Sequence, residues 1–181
     1  SPLASPLRPL VAVSQRIDYI EARSEFRDAL DQRLENWLQD AGYLPVAVPN
    51  ALAAHKNDSG GLVDWLNAVE PVAILLSGGN DIGEHASRDT TEHILLDQAM
   101  DKNTPVLGIC RGMQIMAFHS GLKTVSVVGH TRTKHPLIAE DGSRQTLPTE
   151  VNSYHDWGLT VCPDNFEILA KAPDGTLEAI R

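Results

Sequence analysis

Pro105-Val106-Leu107-Gly108-Ile109-Cys110-Arg111-Gly112-Met113-Gln114-Ile115-Met116-Ala117-Phe118 is the stretch that decides the fold. An apolar run, Pro105-Val106-Leu107, reaches a glycine, and an amphipathic run opens at Met113. A strand that turns sharply into a helix at G-x-C-x-G is the cysteine form of a nucleophile elbow. The turn forces its apex side chain into a tight backbone position, so the neighbours on both sides must be nearly free of side chain. It also lifts the sulfur above the sheet, beside the amides that begin the helix. Those amides and the helix dipole favour the thiolate, the reactive form. Cys110 is therefore predicted to be a nucleophile. A lone cysteine at a strand end is more often an inert core residue, and the glycine frame is what separates Cys110 from that class.

Outward from the elbow, strand and helix signals alternate. Leu10-Val11-Ala12-Val13 reads as a short buried strand. Phe26, Leu30, Leu34, Trp37 and Leu38 recur at helical spacing, with Gly42 as the stop. Leu44 to Val48 reads as a second strand whose Pro45 puts it at an edge or a strand start. Leu62 to Val69 reads as a short helix and Val72 to Leu76 as the clearest buried strand. Asp89 followed by Glu92 has the form of a capping box, opening a helix with Ile94, Leu95 and Ala99 on one face. This order implies an α/β fold with a mostly parallel sheet covered by helices on both faces. After Gly121 the signals become short β-prone pieces, such as Thr124 to Val128 and Glu167 to Ala172, which predict a small antiparallel extension carrying part of the substrate pocket. Residues 1–8 are expected to be a disordered leader and 9–181 one catalytic domain.

Composition narrows the function classes. Fifteen Lys and Arg stand against 24 Asp and Glu, a formal charge of −9, which disfavours nucleic acid and anionic membrane as partners. No apolar run is long enough to span a bilayer, and the opening residues do not form a convincing signal peptide. The two cysteines, Cys110 and Cys162, are too few for a disulfide framework. A reducing cytoplasm is the expected location, and the Asn57-Asp58-Ser59 sequon is read as chance. Cys162, beside Pro163 with no glycine frame, reads as structural. No Cys, His or carboxylate set has metal-site spacing, so no metal is expected. His55, His85 and His93 are expected at the surface, and His130 and His135 as a loop pair.

In open α/β sheets, ligands bind beyond the carboxyl ends of the strands. Two predicted loops occupy that edge, Ser77-Gly78-Gly79-Asn80-Asp81 and Cys110 to Gly112. A nucleophile attacking a carbonyl needs amide donors for the oxyanion. The Arg111 amide is one candidate, and the Gly78-Gly79 loop can supply the other because glycine lets backbone approach a ligand closely.

Ser77-Gly78-Gly79-Asn80-Asp81, Arg88-Asp89, Gly108-Ile109-Cys110-Arg111-Gly112-Met113-Gln114, Val151-Asn152-Ser153-Tyr154-His155 and Pro173-Asp174-Gly175-Thr176-Leu177-Glu178-Ala179-Ile180 occur in this order. The set resembles the class I glutamine amidotransferase-like superfamily. Within it, the set is similar to the γ-glutamyl-γ-aminobutyrate hydrolases and the γ-glutamyl-CDP-amidate hydrolases. The resemblance runs from about Leu10 to Arg181. It implies a flavodoxin-like amidotransferase fold, Cys110 as nucleophile, and an oxyanion hole made by the amides of Gly79 and Arg111. Substrate contacts would come from Gly78, Gln114, Asn152, Ser153, Tyr154 and His155. The implied reaction is hydrolysis of a small γ-glutamyl amide through a γ-glutamyl thioester, with no metal or organic cofactor. The resemblance leaves open a homodimer or a synthase partner that receives ammonia, and equally a non-catalytic binding module of the same fold. A redox or stress protein with a cysteine elbow is disfavoured by the Gly78-Gly79 loop. The family's His-x-Glu pair would fall beyond Arg181, so either the sequence is truncated or an in-chain histidine, His155 above all, serves as base.

Overall fold

The computed structural model describes residues 6–54, 60–140 and 147–181. Most of the expected leader (residues 1–5), His55 and the Asn57-Asp58-Ser59 sequon lie outside the described residues. The chain divides into two compact units, Ser1–Ile115 and Met116–Arg181.

The first unit is built on four parallel strands, β1 (Leu10–Val13), β4 (Leu44–Ala47), β5 (Ala73–Leu76) and β6 (Val106–Gly108), in the order β4-β1-β5-β6. Between them run a hairpin, β2 (Arg16–Ile20) and β3 (Glu25–Ala29), and helices α1 (Gln32–Asp40), α2 (Ala51–Ala54), α3 (Gly61–Val69) and α4 (Ala86–Lys102). Helix α5 (Arg111–His119) follows β6. The central strands are continuous apolar runs because both faces are covered: Val11, Ala12, Val13, Ile74, Leu75 and Leu76 are all buried. Pro45 sits in the edge strand β4, where its missing N–H costs no ladder bond on the open side. Parallel pairing in register, Val13 with Leu75 and Leu76 with Gly108, brings the carboxyl ends of β1, β5 and β6 to one edge.

Two local expectations are corrected. The helix predicted from Phe26 begins only at Gln32; Asp31 caps it, accepting from the Arg33 N–H at 2.9 Å. Phe26 instead lies in β3 opposite Tyr19, their rings 4.8 Å apart, so its apparent helical spacing is a cross-strand aromatic pair. Asp89 and Glu92 do not form a capping box either. Helix α4 starts at Ala86, with His85 at the N-cap, and both carboxylates turn to the buried Arg111 at the start of α5.

The second unit is antiparallel, as expected after Gly121. β8 (Thr133–Pro136) pairs with β10 (Glu150–Ser153), β7 (Val125–Ser126) with β11 (Trp157–Gly158), and β12 (Ile168–Lys171) lies between β9 (Ile138–Ala139) and β13 (Leu177–Ile180). Leu159, Leu169, Ala170, Ala172 and Leu177 form its apolar interior. Among the described residues no helix is long and apolar enough to cross a membrane. The chain thus combines a mostly parallel sheet flanked by helices with small antiparallel sheets.

Candidate active site

Cys110 stands exposed at the junction of β6 and α5, with φ at +53°. For a residue with a Cβ this left-handed conformation is strained, and such strain concentrates at functional positions. The glycines explain why the turn can be so tight. A Cβ on Gly108 would sit 2.5 Å from the Gly112 carbonyl carbon and 2.7 Å from the Met113 nitrogen. One on Gly112 would overlap the Leu76 carbonyl oxygen of β5. The helix therefore starts in direct backbone contact with the neighbouring strand, an approach that only glycine permits.

Gly78 borders the same point: a Cβ there would lie 3.6 Å from the Cys110 Cβ. Gly79 has φ +84° and packs against the Arg16 side chain. Among the described residues, the backbone N–H groups of Gly79 and Arg111 have no hydrogen-bond partner. A groove of about 590 Å³ runs beside Gly79, lined by Arg16, Arg33, Trp37, Gly78, Gly79 and Ile109. Gln114 is buried one turn along α5, its N–H donating to the Cys110 carbonyl at 3.3 Å.

The glycine loop is held from behind by a buried arginine. Arg88 in α4 donates to the carbonyls of Ser77 at 2.8 Å, Gly78 at 3.2 Å and Gly79, and to Asn80 Oδ1 at 3.1 Å. Carbonyls fixed inward turn the peptide N–H groups of the loop the other way. Asn80 closes the strap, accepting from the Ile17 N–H and donating to the Ile17 carbonyl. Glu92 neutralises the cluster: its Oε1 accepts from Arg88 at 3.2 Å and from Ser14 Oγ at 2.9 Å, its Oε2 from Arg111 Nε at 3.2 Å. Arg111 also reaches Asp89 at 2.6 Å. Burial pulls the Arg88 guanidinium down to about 10, with Glu92 working against that shift, so it remains a cation at neutral pH. One anchored carboxylate thus ties α4 to both the glycine loop and the first residue of α5. The i,i+4 spacing of Arg88 and Glu92 is the sequence signal for this pair, and the capping pattern of Asp89 and Glu92 masks it.

The remaining expected residues belong to the Met116–Arg181 unit. Asn152 and Ser153 end β10, Ser153 buried; Tyr154 is exposed. His155 turns Nδ1 to the Trp157 carbonyl at 2.9 Å and Nε2 to Glu178 at 3.6 Å. The Glu178 carboxylate facing it raises its pKa above the ordinary value, against desolvation. His130 and His135 form a pair, rings 5.0 Å apart, but not a loop pair, since His135 lies in β8 and His130 is buried. Cys162 Sγ donates to the Phe166 carbonyl at 3.3 Å.

Residues 9–181 match the family model described as Peptidase C26. The chain is 24% identical over 187 residues to a γ-glutamyl-γ-aminobutyrate hydrolase of Escherichia coli O157:H7, covering 83% of this chain and 72% of that one. It is 28% identical over 115 residues to the γ-glutamyl-CDP-amidate hydrolase of Campylobacter jejuni, covering 60% of this chain and 54% of that one. Among solved structures, a GMP synthase subunit protein from Thermoplasma acidophilum superposes with a TM-score of 0.69 at 21% identity, over 98% of this chain and 79% of that one.

Proposed function

Because the chain belongs to the Peptidase C26 family, we propose that it hydrolyses the γ-glutamyl amide bond of a small molecule with Cys110 as nucleophile. At family level it is a glutamine amidotransferase-like enzyme. The observation that carries the finer reading is an exposed, strained cysteine flanked by two N–H groups, of Gly79 and Arg111, that lack partners among the described residues. The thiolate attacks the γ-carbonyl carbon, and the carbonyl oxygen takes the negative charge between those donors. Collapse breaks the C–N bond, the amine leaves with a proton, and a γ-glutamyl thioester remains. Water then attacks the same carbon, releasing glutamate and restoring the thiol. The relatives supply the candidate substrates, a γ-glutamyl amine or a γ-glutamyl-CDP-amidate. Gly78 and Gln114, beside Cys110, are assigned to the glutamyl end.

A glutamine-shaped diazoketone tests the site directly, with the modified peptide read by mass spectrometry. Selective labelling of Cys110 over Cys162, slowed by free glutamine, is the expected result. Equal, unprotected labelling of both thiols would leave only a binding module of the same fold. The similarity to a GMP synthase component favours a second reading, in which ammonia passes to a synthase partner. That reading requires glutamate release to stay low until such a partner is added, whereas a hydrolase turns over alone.

Gly79→Val should lower the rate by roughly 100-fold or more, the usual cost of one oxyanion donor. The new side chain must adopt φ +84° and displace Arg16, which carries the 78–79 peptide away from Cys110. The melting temperature should change far less, because the Arg16 side chain is half-exposed and can move aside. A variant with unchanged kcat would remove Gly79 from the assignment.

A further inference from the structure

We propose that the Met116–Arg181 unit binds a divalent transition-metal ion, zinc foremost, through His130, His135 and Glu178, with His155 beside Glu178. Three imidazole nitrogens face one carboxylate oxygen, Glu178 Oε1: His130 Nδ1 at 3.4 Å, His135 Nε2 at 3.4 Å and His155 Nε2 at 3.6 Å. The ligand atoms of His130, His135 and Glu178 all lie within 4.8 Å of one another. Tetrahedral zinc, with bonds of about 2.1 Å, separates its ligand atoms by about 3.4 Å. The spacings to Glu178 therefore suit the edges of a zinc sphere better than hydrogen bonds.

The outer nitrogens set the tautomers. His130 Nε2 lies 2.8 Å from Asp174 Oδ2, His135 Nδ1 2.9 Å from the Pro136 carbonyl, and His155 Nδ1 2.9 Å from the Trp157 carbonyl. A carbonyl or carboxylate can only accept, so each outer nitrogen carries the N–H. In the neutral ring the inner nitrogen then presents a lone pair to the common centre. Such outer partners are the usual support of metal-binding histidines. His130 Nδ1 also lies 3.4 Å from Ser153 Oγ. Three lone pairs converging on a carboxylate repel one another unless a proton or a metal ion sits among them. Two of the converging atoms, His135 Nε2 and Glu178 Oε1, are sealed from solvent with no hydrogen-bond partner, which buried polar atoms rarely tolerate. A shared cation satisfies both. Imidazole nitrogens and one carboxylate oxygen without a thiolate suit zinc and its neighbours rather than calcium or magnesium.

Sequence spacing could not show the set. His135 sits in β8 opposite Val151 of β10, His130 precedes β8, His155 follows β10, and Glu178 comes from β13 in another sheet. A metal there would staple strands of two to four residues, the kind of small β unit that gains most from a cross-link. This inference rests on the second unit alone and is independent of the reading of Cys110.

The test uses the full chain, stripped with chelator and titrated with Zn²⁺ by calorimetry and with Co²⁺ by visible absorption. One equivalent should bind tighter than about 10 μM, and cobalt should give the intense d–d bands of four-coordinate geometry. Glu178→Gln and His135→Gln should each weaken zinc at least about 100-fold, and Asp174→Asn, at a half-exposed outer partner, about 10-fold. Cys110→Ala should leave zinc affinity unchanged. The proposal falls if the unsubstituted chain shows no saturable binding, or if cobalt is six-coordinate. It falls equally if folded Asp174→Asn and Glu178→Gln proteins bind zinc as tightly as the parent, since the ion is then held by scattered histidines.

Discussion

Cys110→Ala is expected to release no glutamate from a γ-glutamyl amide above the uncatalysed level, a loss of at least about 10⁴-fold. Its fold should survive, because Cys110 is exposed at the end of the sheet. Strain sharpens the expectation. A residue with a Cβ at φ +53° sits in a conformation that costs of order 1 kcal/mol. Cys110→Gly should therefore be as inactive as Cys110→Ala yet more stable by about that amount, measured by urea denaturation. Such a gain means that the parent chain holds a strained side chain at this corner at the expense of stability, as expected where the side chain has work to do. Hydrolysis retained in Cys110→Ala would refute the nucleophile assignment outright.

Gly112→Ala should have the largest effect on stability of any single methyl addition near the site. The added carbon overlaps the Leu76 carbonyl oxygen and lies 2.9 Å from the Leu76 carbonyl carbon, both rigid backbone of the central sheet. No side chain can rotate away, so α5 must lift from β5. That lift disturbs the Ile109 N–H bond to the Leu76 carbonyl, now 2.9 Å, and the Arg111 contacts to Asp89 and Glu92. Overpacking against fixed backbone costs about 3 kcal/mol or more. The urea midpoint should fall sharply, and soluble yield with it. A midpoint equal to the parent's would show that the strand–helix approach is looser than these distances state. Gly83, with open space where its Cβ would stand, offers the contrast: there only its φ of +92° opposes substitution.

The parts of the fold legible in the sequence are those with short-range signals. β1, β5, β6 and α5 can be placed because each is a continuous apolar run or a periodic one, bounded by glycine or a polar turn. Where two periods coincide, the local signal misleads. Phe26 lies four residues before Leu30, a helical interval, but pairing with Tyr19 across a hairpin decides its state. Asp89 and Glu92 satisfy a capping pattern, yet Glu92 serves Arg88 and Arg111 while Asp89 divides between Arg111 and the Gly83 N–H, since a buried guanidinium without a carboxylate is costlier than a frayed helix end. The glycine frame of Cys110 is legible, but its cause is steric contact with Leu76 in another strand, which the local sequence does not contain.

By itself, the sequence determined the parallel core, its elbow at Cys110 and the switch to short antiparallel pieces after Gly121, because propensity, hydrophobic period and turn chemistry act between chain neighbours. Tertiary structure alone decided which distant side chains meet. Ser14, Arg88, Glu92 and Arg111 form one buried cluster behind the glycine loop, and His130, His135, His155 and Glu178 converge elsewhere. Both sets depend on strand pairing and helix packing across tens of residues, and charge partnership at that range leaves no period for a reader of the sequence to find.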